Sequence, residues 1–185
     1  YRDTSLTLSL SLGYDQGERR NEKVLYASFS NTQQFQPWLA ALEQNQIRLA
    51  GVYSTALLAP ALIKGAGLKS PRCLLVSVQN TGLRQSYVED GNIRFSRVGR
   101  VNLADMASVA ASCASESARL QQYLVTMRLL PAANTPIEVM VLAAGRYHAA
   151  LTEACRSTEL LRFHVINADL QCRATGLASF PPEAP

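Results

Sequence analysis

The chain has 185 residues, which is enough for one substantial hydrophobic core or for one core and part of a second. Hydrophobic residues make up 48% of it and charged residues 17%, a globular composition that excludes a disordered chain. The net charge of +4 comes from scattered arginines, so we expect a solvated surface and no nucleic-acid partner. No apolar run reaches the roughly 18–20 residues that cross a bilayer. Because the chain opens without Met or a signal peptide, we expect a fragment of a larger protein, whose membrane segment would lie outside it.

The first third of the chain is predicted to mix strands and helices. Residues 5–12 alternate polar and apolar side chains with period two, which is typical of a half-buried strand. An apolar stripe at helical spacing includes Trp38, the only tryptophan. The predicted elements are strands over residues 5–12, 23–29 and 47–53, a helix capped by Asn31 or Thr32, and a short helix over residues 55–63 that Pro60 kinks or delays.

The pattern becomes more regular after Gly67. Asp90-Gly91 separates two strand-like runs and predicts a type I′ hairpin. The predicted elements are strands over residues 73–79, 83–88, 93–98, 137–142 and 161–166, a long helix over about 103–130 stopped by Pro131, and helices over 147–155 and 168–175.

This order of elements predicts a three-layer α/β domain of the ribonuclease-H-like, actin-like type. Three consecutive strands with tight turns run antiparallel, and each later strand–helix–strand crossover is parallel and right-handed. The result is a mixed five-stranded sheet with helices on both faces. We place this domain at residues 68–178 and a Pro-rich linker at residues 179–185.

Two parts of the chain resemble a known family. Residues 35–53 (FQPWLAALEQNQIRLAGVY) are similar to the helix–strand segment that precedes the second lobe in the actin-like assembly proteins of type IV pili. Residues 74–98, with a hairpin ending in DG…RFSR, and residues 116–123 (ESARLQQY) are similar to that second lobe. The cytoplasmic actin-like domain of the type II secretion L protein belongs to the same broader group. The resemblance implies that residues 1–67 are the C-terminal part of a first actin-like lobe.

The same resemblance implies where a nucleotide site would lie, and the sequence departs from it there. Nucleotide-binding relatives carry an Asp at the end of the first strand of this lobe, which orients a metal ion. Here Ser77 or Gln79 stands at that place. Relatives also have a Gly-Gly pair beside the adenine, where this chain has Ala143-Ala144 and therefore less room. We expect neither ATP with Mg²⁺ as a cofactor nor ATP hydrolysis.

Other catalytic chemistry finds no support in the sequence. A two-metal nuclease needs converging carboxylates, and Glu116 and Glu138 are isolated. No serine lies in a G-x-S-x-G elbow, and neither His148 nor His164 has an acid at a recognised spacing. The cysteines form no CxxC pair, which predicts reduced thiols, a cytoplasmic location and no metal site; they are Cys73, Cys113, Cys155 and Cys172. We predict no catalytic residue.

One pair of charges suggests an anion site. If Asp90-Gly91 is a two-residue turn, Arg84 lies opposite Arg97 on one face of the sheet, where like charges repel. Both would lie at the sheet end near the turn formed by Asn80, Thr81 and Gly82, so these five residues are the candidate anion-binding group. The alternative is that Asp105 or Glu116 pairs with the arginines, or that they extend into water.

The leading hypothesis is a non-enzymatic scaffold that acts through protein–protein contacts. The resemblance implies a cytoplasmic position at the inner face of the bacterial inner membrane, with other subunits of a pilus or secretion assembly platform as partners. Trp38 either anchors its helix or contributes to a partner interface. The alternatives are a degenerate nucleotide-binding, ATPase-like member of the superfamily and a domain whose ligand is a small anion.

Overall fold

The computed structural model of the protein describes residues 6–14, 20–29, 32–51 and 53–174. The chain divides into two compact units, Tyr1–Val52 and Tyr53–Pro185. In the first unit, strand β1 (Leu6–Tyr14) pairs antiparallel with β2 (Glu22–Phe29). A 3-10 turn (Thr32–Gln34) then precedes helix α1 (Gln36–Gln44). The first two predicted strands and the predicted helix are therefore confirmed in this unit.

Two details of the first unit were predicted wrongly. The helix is not capped by Thr32, which begins the 3-10 turn. Helix α1 starts after Phe35 and has a proline in its first turn, where the backbone N–H would have no hydrogen-bond partner within the helix. Asn31 lies outside the described residues. The strand predicted over residues 47–53 is not formed by residues 47–51 and 53, which have no regular structure. Ile47 and Leu49 are exposed there, so their apolar side chains do not pack as those of a half-buried strand would.

The second unit contains the predicted sheet. Its described sheet has the order β5-β4-β3-β6-β7, with β3, β4 and β5 antiparallel and β3, β6 and β7 parallel. This confirms the mixed five-stranded, ribonuclease-H-like arrangement. The elements in chain order are α2 (Ala59–Gly65), β3 (Arg72–Gln79), β4 (Gly82–Glu89), β5 (Asn92–Gly99), α3 (Met106–Thr126), β6 (Ile137–Ala143), α4 (His148–Ala154), β7 (Leu161–Asn167) and α5 (Ala168–Ala174).

Helices cover both faces of this sheet, and each face has its own hydrophobic core. On one face, residues of α3 and α4 such as Leu120, Leu124 and Leu151 are fully buried against the sheet. On the other face, Ala59 and Ile63 of α2 pack in a cluster with sheet residues; those are Cys73, Leu75, Val88 and Met140. Successive side chains of β3 point alternately into the two cores. The strand must therefore be apolar on both faces, which explains its continuous apolar run.

The burial of α2 moves the boundary between the units. We predicted a division between residues 67 and 68, whereas the structure divides the chain between Val52 and Tyr53. Ala59 and Ile63 remove their side chains from water only by packing on the sheet, so their helix belongs to the second unit. Pro60 delays the start of α2 and does not kink it, because it lies in the first turn. The predicted linker at residues 179–185 lies outside the described residues.

The long helix is shorter than predicted. Asp105 caps α3 by accepting hydrogen bonds from the backbone N–H groups of Ala107 and Ser108, at 3.1 Å each. The helix ends at Thr126, before Pro131, because Arg128 adopts a left-handed conformation with φ of 55°. No helix within the described ranges is both long and apolar enough to cross a membrane.

Candidate functional site

The β4–β5 hairpin has a different register from the one we predicted. Asp90 (φ 50°) and Gly91 (φ 74°) both have positive φ, which confirms the type I′ turn. A β-bulge between Tyr87 and Val88 then shifts the pairing by one residue. The predicted pair of facing arginines is therefore wrong.

The shift separates the two arginines onto opposite faces of the sheet. Arg84 pairs with Val98, and Arg97 pairs with Gln85. Gln85 follows Arg84 in the same strand, and successive strand residues point to opposite faces. Arg84 and Arg97 cannot share a bound anion in this register, and the five-residue group proposed from the sequence is not brought together.

Arg97 belongs to a polar network beneath α3. Its Nε donates to Oε1 of Gln85 at 2.7 Å, and its terminal nitrogen lies 3.1 Å from Glu116 Oε2. Arg119 binds the other oxygen of Glu116 at 2.7 Å. The alternative that Glu116 pairs with Arg97 is thus confirmed. Because Gln85 is 1% exposed, its amide oxygen depends on Arg97 for its hydrogen bond.

Arg84 lies on the other face, at the end of β3. Its Nε donates to Oε1 of Gln79 at 3.3 Å, and Nε2 of Gln79 donates to Oγ of Ser77 at 3.2 Å. The place where relatives would carry a metal-binding Asp is therefore occupied by a chain of neutral hydrogen-bonding groups that ends in a guanidinium.

This chain of groups forms one wall of a cavity at the carboxyl ends of β3 and β6. In open α/β sheets, ligands bind in the crevice at the carboxyl ends of the strands, at the point where the connections of two neighbouring strands go to opposite sides. The cavity has a volume of about 120 Å³. Residues from both sides of the strand ends, from α2 and from the start of α5 line it; they are Thr55, Leu58, Leu62, Leu75, Ser77, Val78, Gln79, Asn80, Arg84, Leu103, Leu142, Ala143, Ala144, Arg146, Tyr147 and Ala168.

The remaining predicted site residues have different roles. Asn80 lines the cavity, whereas Thr81 is an exposed turn residue that does not. Gly82 is buried with φ of +125°, and a Cβ at this position would overlap the carbonyl oxygen of Gly99 in β5. Gly82 therefore permits the close approach of two backbones.

The loop after β6 forms the opposite wall. Ala143 and Ala144 both line the cavity, at the place where the sequence predicted less room. The N–H of Gly145 donates to Oδ2 of Asp169 at 2.8 Å, which ties this loop to α5. A side chain at Gly145 would meet Asp169 and Asn167, so this glycine is needed for that contact.

The structure also brings together an acid and a histidine that the sequence analysis treated separately. Glu138 Oε2 lies 2.6 Å from Nε2 of His164, and Oε1 lies 3.3 Å from Arg162. The register of the parallel strands places Glu138 beside Arg162, with His164 next along on the same face. The residues could have been connected by aligning the predicted β6 and β7. In the described residues no nucleophilic side chain is bonded to this group, so its geometry is that of an ion-pair cluster on the sheet.

Three of the four cysteines, Cys73, Cys113 and Cys155, are buried. Cys73 and Cys113 pack as small hydrophobic groups, as predicted, and burial raises the pKa of each to about 12. Burial also raises the pKa of Cys155 to about 11. In the part of the chain that the structure describes, no group of three or more His, Cys, Asp or Glu side chains could hold a metal ion.

Comparisons with known proteins show a likeness in structure and none in sequence. No protein-family model matches the chain, and no curated protein matches its sequence significantly. Among solved structures, the chain is similar to one described as a PilM-PilN type IV pilus biogenesis complex, with a TM-score of 0.51 over 90% of this chain and 12% sequence identity. The chain spans 57% of the length of that chain. At this identity the likeness shows the fold alone, and the mixed five-stranded sheet with helices is consistent with an actin-like fold of the PilM type.

Proposed function

We propose that the protein is a non-enzymatic, actin-like scaffold of a type IV pilus assembly platform. It works in the cytoplasm, at the inner face of the bacterial inner membrane, through contacts with other subunits of that platform. Two observations support this proposal. The fold is similar to that of a protein solved in a pilus biogenesis complex, and none of the described residues that line the cavity at the strand ends carries a carboxylate.

The single observation that carries the non-enzymatic part is the chemistry at the end of β3. Magnesium prefers carboxylate and water oxygens and is held in nucleotide sites by an acidic side chain together with phosphate. Here the strand end carries the hydroxyl of Ser77 and the amide of Gln79, held in place by hydrogen bonds and followed by the guanidinium of Arg84. A metal ion beside a guanidinium would be repelled, so we propose that no nucleotide or metal cofactor is used.

Trp38 is the residue we assign to a partner contact. Its side chain is 73% exposed, and no residue of α1 is buried, so the side chain does not anchor the helix. A tryptophan offers a large apolar surface together with one hydrogen-bond donor, and it is over-represented among residues that dominate binding energy in protein interfaces. Leu39 is exposed beside it on the same helix and extends the apolar surface.

The test is direct binding to purified partners. The cytoplasmic segments of the inner-membrane pilus subunits of the same organism, and those of its type II secretion system, would be titrated with the 185-residue chain by calorimetry. We expect saturable binding to a pilus segment, and Trp38→Ala to weaken it by about 30-fold, which corresponds to about 2 kcal/mol. Gln44→Ala, on the same helix, is the matched control and should change binding little. If no pilus segment binds, the assignment to this platform is wrong.

A second titration addresses the alternative of a degenerate nucleotide-binding protein. We expect no heat with ATP and Mg²⁺ at millimolar nucleotide. Saturable binding that Arg84→Gln abolishes would mean that the cavity accepts phosphate despite the missing carboxylate, and the nucleotide-binding alternative would replace the scaffold proposal.

A further inference from the structure

The side chains at the end of β3 leave hydrogen-bond donors available to the cavity at the ends of β3 and β6. The two side-chain acceptors at the end of β3 are occupied, because Ser77 Oγ accepts from Gln79 and Gln79 Oε1 accepts from Arg84. The hydroxyl hydrogen of Ser77 and the terminal nitrogens of Arg84 remain as donors. Ser77 is 9% exposed, so its donor is available to the cavity more than to bulk water. A ligand group that binds to the side chains of Ser77 and Arg84 must therefore supply hydrogen-bond acceptors.

The cavity also carries an uncompensated positive charge. Arg84 and Arg146 both line it, and among the described residues no carboxylate lies within ion-pair distance of either. Arg146 lies over the ring of Tyr147, with Cζ 4.9 Å from the ring centroid, and its positive charge remains. The carboxylate of Asp169 is engaged by the N–H of Gly145 and does not line the cavity. The acceptor that fits is therefore anionic.

The rest of the lining is apolar and small. Leu58, the N-cap residue of α2, and Leu62 of α2 line the cavity and are 40% and 39% exposed; Leu75 and Leu142 of the sheet also line it. The volume of about 120 Å³ is close to that of an apolar cavity of about 150 Å³ that accommodates benzene. One hydrocarbon group of side-chain size fits in this volume.

We propose that this cavity binds the C-terminal residue of a partner protein, with its carboxylate on Arg84 and Arg146 and an aliphatic side chain such as that of leucine against Leu58 and Leu62. A terminal residue carries both groups on one Cα, which is the combination that the cavity presents. The inference rests on the proposed function, since the partner proteins of a scaffold would supply the C-terminal residue. It deepens that function by stating the chemistry of one contact.

N-acetyl-leucine is a probe of this chemistry, because it has a carboxylate and an isobutyl group on one carbon. Added to the 15N-labelled chain, it should shift the amide resonances of Gln79, Ala143 and Ala144 saturably, with a Kd on the order of 1 mM for a ligand of this size. The neutral N-acetyl-leucinamide should bind at least about tenfold more weakly, because it lacks the charge. Acetate should also bind at least about tenfold more weakly, because it lacks the hydrocarbon group. Equal binding of either analogue would overturn the proposal.

Two variants locate the site. Arg84→Gln should weaken N-acetyl-leucine at least about fivefold, whereas Arg119→Gln removes the same charge from an exposed position on α3 and should leave the Kd unchanged. Ala144→Leu fills the cavity without changing the charge and should also abolish the shifts. The fold of each variant is checked by its circular dichroism spectrum. Equal weakening by Arg84→Gln and Arg119→Gln would show non-specific charge attraction and would overturn the inference.

The source of the carboxylate is tested with the partner itself. A pilus segment that binds in the calorimetric assay should lose affinity when its C-terminus is amidated, and Arg84→Gln should remove that difference. If amidation has no effect while the segment still binds, the cavity inference fails and the scaffold proposal stands. If no segment binds while N-acetyl-leucine does, the scaffold proposal fails and the cavity is a site for a free small acid.

Discussion

A side chain introduced at Gly82 should destabilise the protein much more than one introduced at Gly91. Both glycines have positive φ, +125° and +74°, so alanine at either position carries backbone strain. They differ in their surroundings: a Cβ at Gly91 would meet nothing within 4 Å, whereas one at Gly82 would overlap the carbonyl oxygen of Gly99. It would also lie 3.2 Å from the carbonyl carbon of Gly99 and 3.4 Å from Cα of Arg100, and backbone atoms cannot rotate away as a side chain can.

The expected magnitudes follow from these two contributions. Gly91→Ala has the conformational cost alone, about 1 kcal/mol. Gly82→Ala adds displacement of β5 from β4, for a total of about 3 kcal/mol or more. The difference of about 2 kcal/mol should appear as a difference of about 8 °C in Tm for a domain of this size.

Urea denaturation followed by circular dichroism measures both variants against the wild-type chain. Unchanged m-values would show that the variants alter stability and not the extent of unfolding. If the two variants differ by less than about 0.5 kcal/mol, the backbones of β4 and β5 do not approach each other at Gly82 as described, and the register derived from that approach is wrong.

Three further predictions concern other parts of the second unit. Arg97→Met should lower the free energy of unfolding in urea by about 1–2 kcal/mol, because it leaves the buried amide oxygen of Gln85 unpaired. Arg119→Met should lower it by less than about 0.5 kcal/mol, and equal effects of the two variants would contradict the buried network. Asp105→Ala should lower stability by about 1 kcal/mol through loss of the α3 cap, and Asp105→Asn should restore most of it. The pKa of Cys73 and of Cys113 is raised to about 12 by burial, so the folded chain keeps protons that the unfolded chain loses above about pH 9. Stability should therefore fall by about 1.4 kcal/mol per pH unit for each thiol from about pH 9 upward, measured as the urea midpoint. Replacing both with alanine should reduce this slope and leave the part that Cys155 contributes, whose pKa is raised to about 11.

The sheet of the second unit could be predicted because its signals are local. The apolar run of β3, the turn at Asp90-Gly91 and the helix between β5 and β6 each determine one connection, and the handedness of crossovers determines the rest. The position of α2 could not be predicted this way. Its two buried residues, Ala59 and Ile63, are few, and the glycines that follow them indicate a boundary as readily as a turn.

The strand predicted over residues 47–53 shows the limit of pattern alone. Alternation indicates which residues could face a core, but a strand also needs a neighbour to satisfy its backbone groups and cover its apolar side. Ile47 and Leu49 are exposed in the structure, so the pattern there is not matched by burial.

The β-bulge between Tyr87 and Val88 determined the outcome for the candidate site. The turn determines the register only of the residue pairs next to it. One inserted residue moves the side chains beyond it in that strand to the opposite face of the sheet. Without the bulge, Arg97 would lie beside Arg84 and would form no bond with the buried Gln85. With the bulge, Arg97 donates to Gln85 in the polar network beneath α3. Of the two arginines Arg84 and Arg97, only Arg84 lines the cavity. Because Arg97 is neutralised by Glu116, any anion bound at the strand ends must depend on Arg84 and Arg146. Substitution of Arg97 should therefore lower stability without changing ligand affinity. Substitution of Arg84 should lower ligand affinity and change stability little.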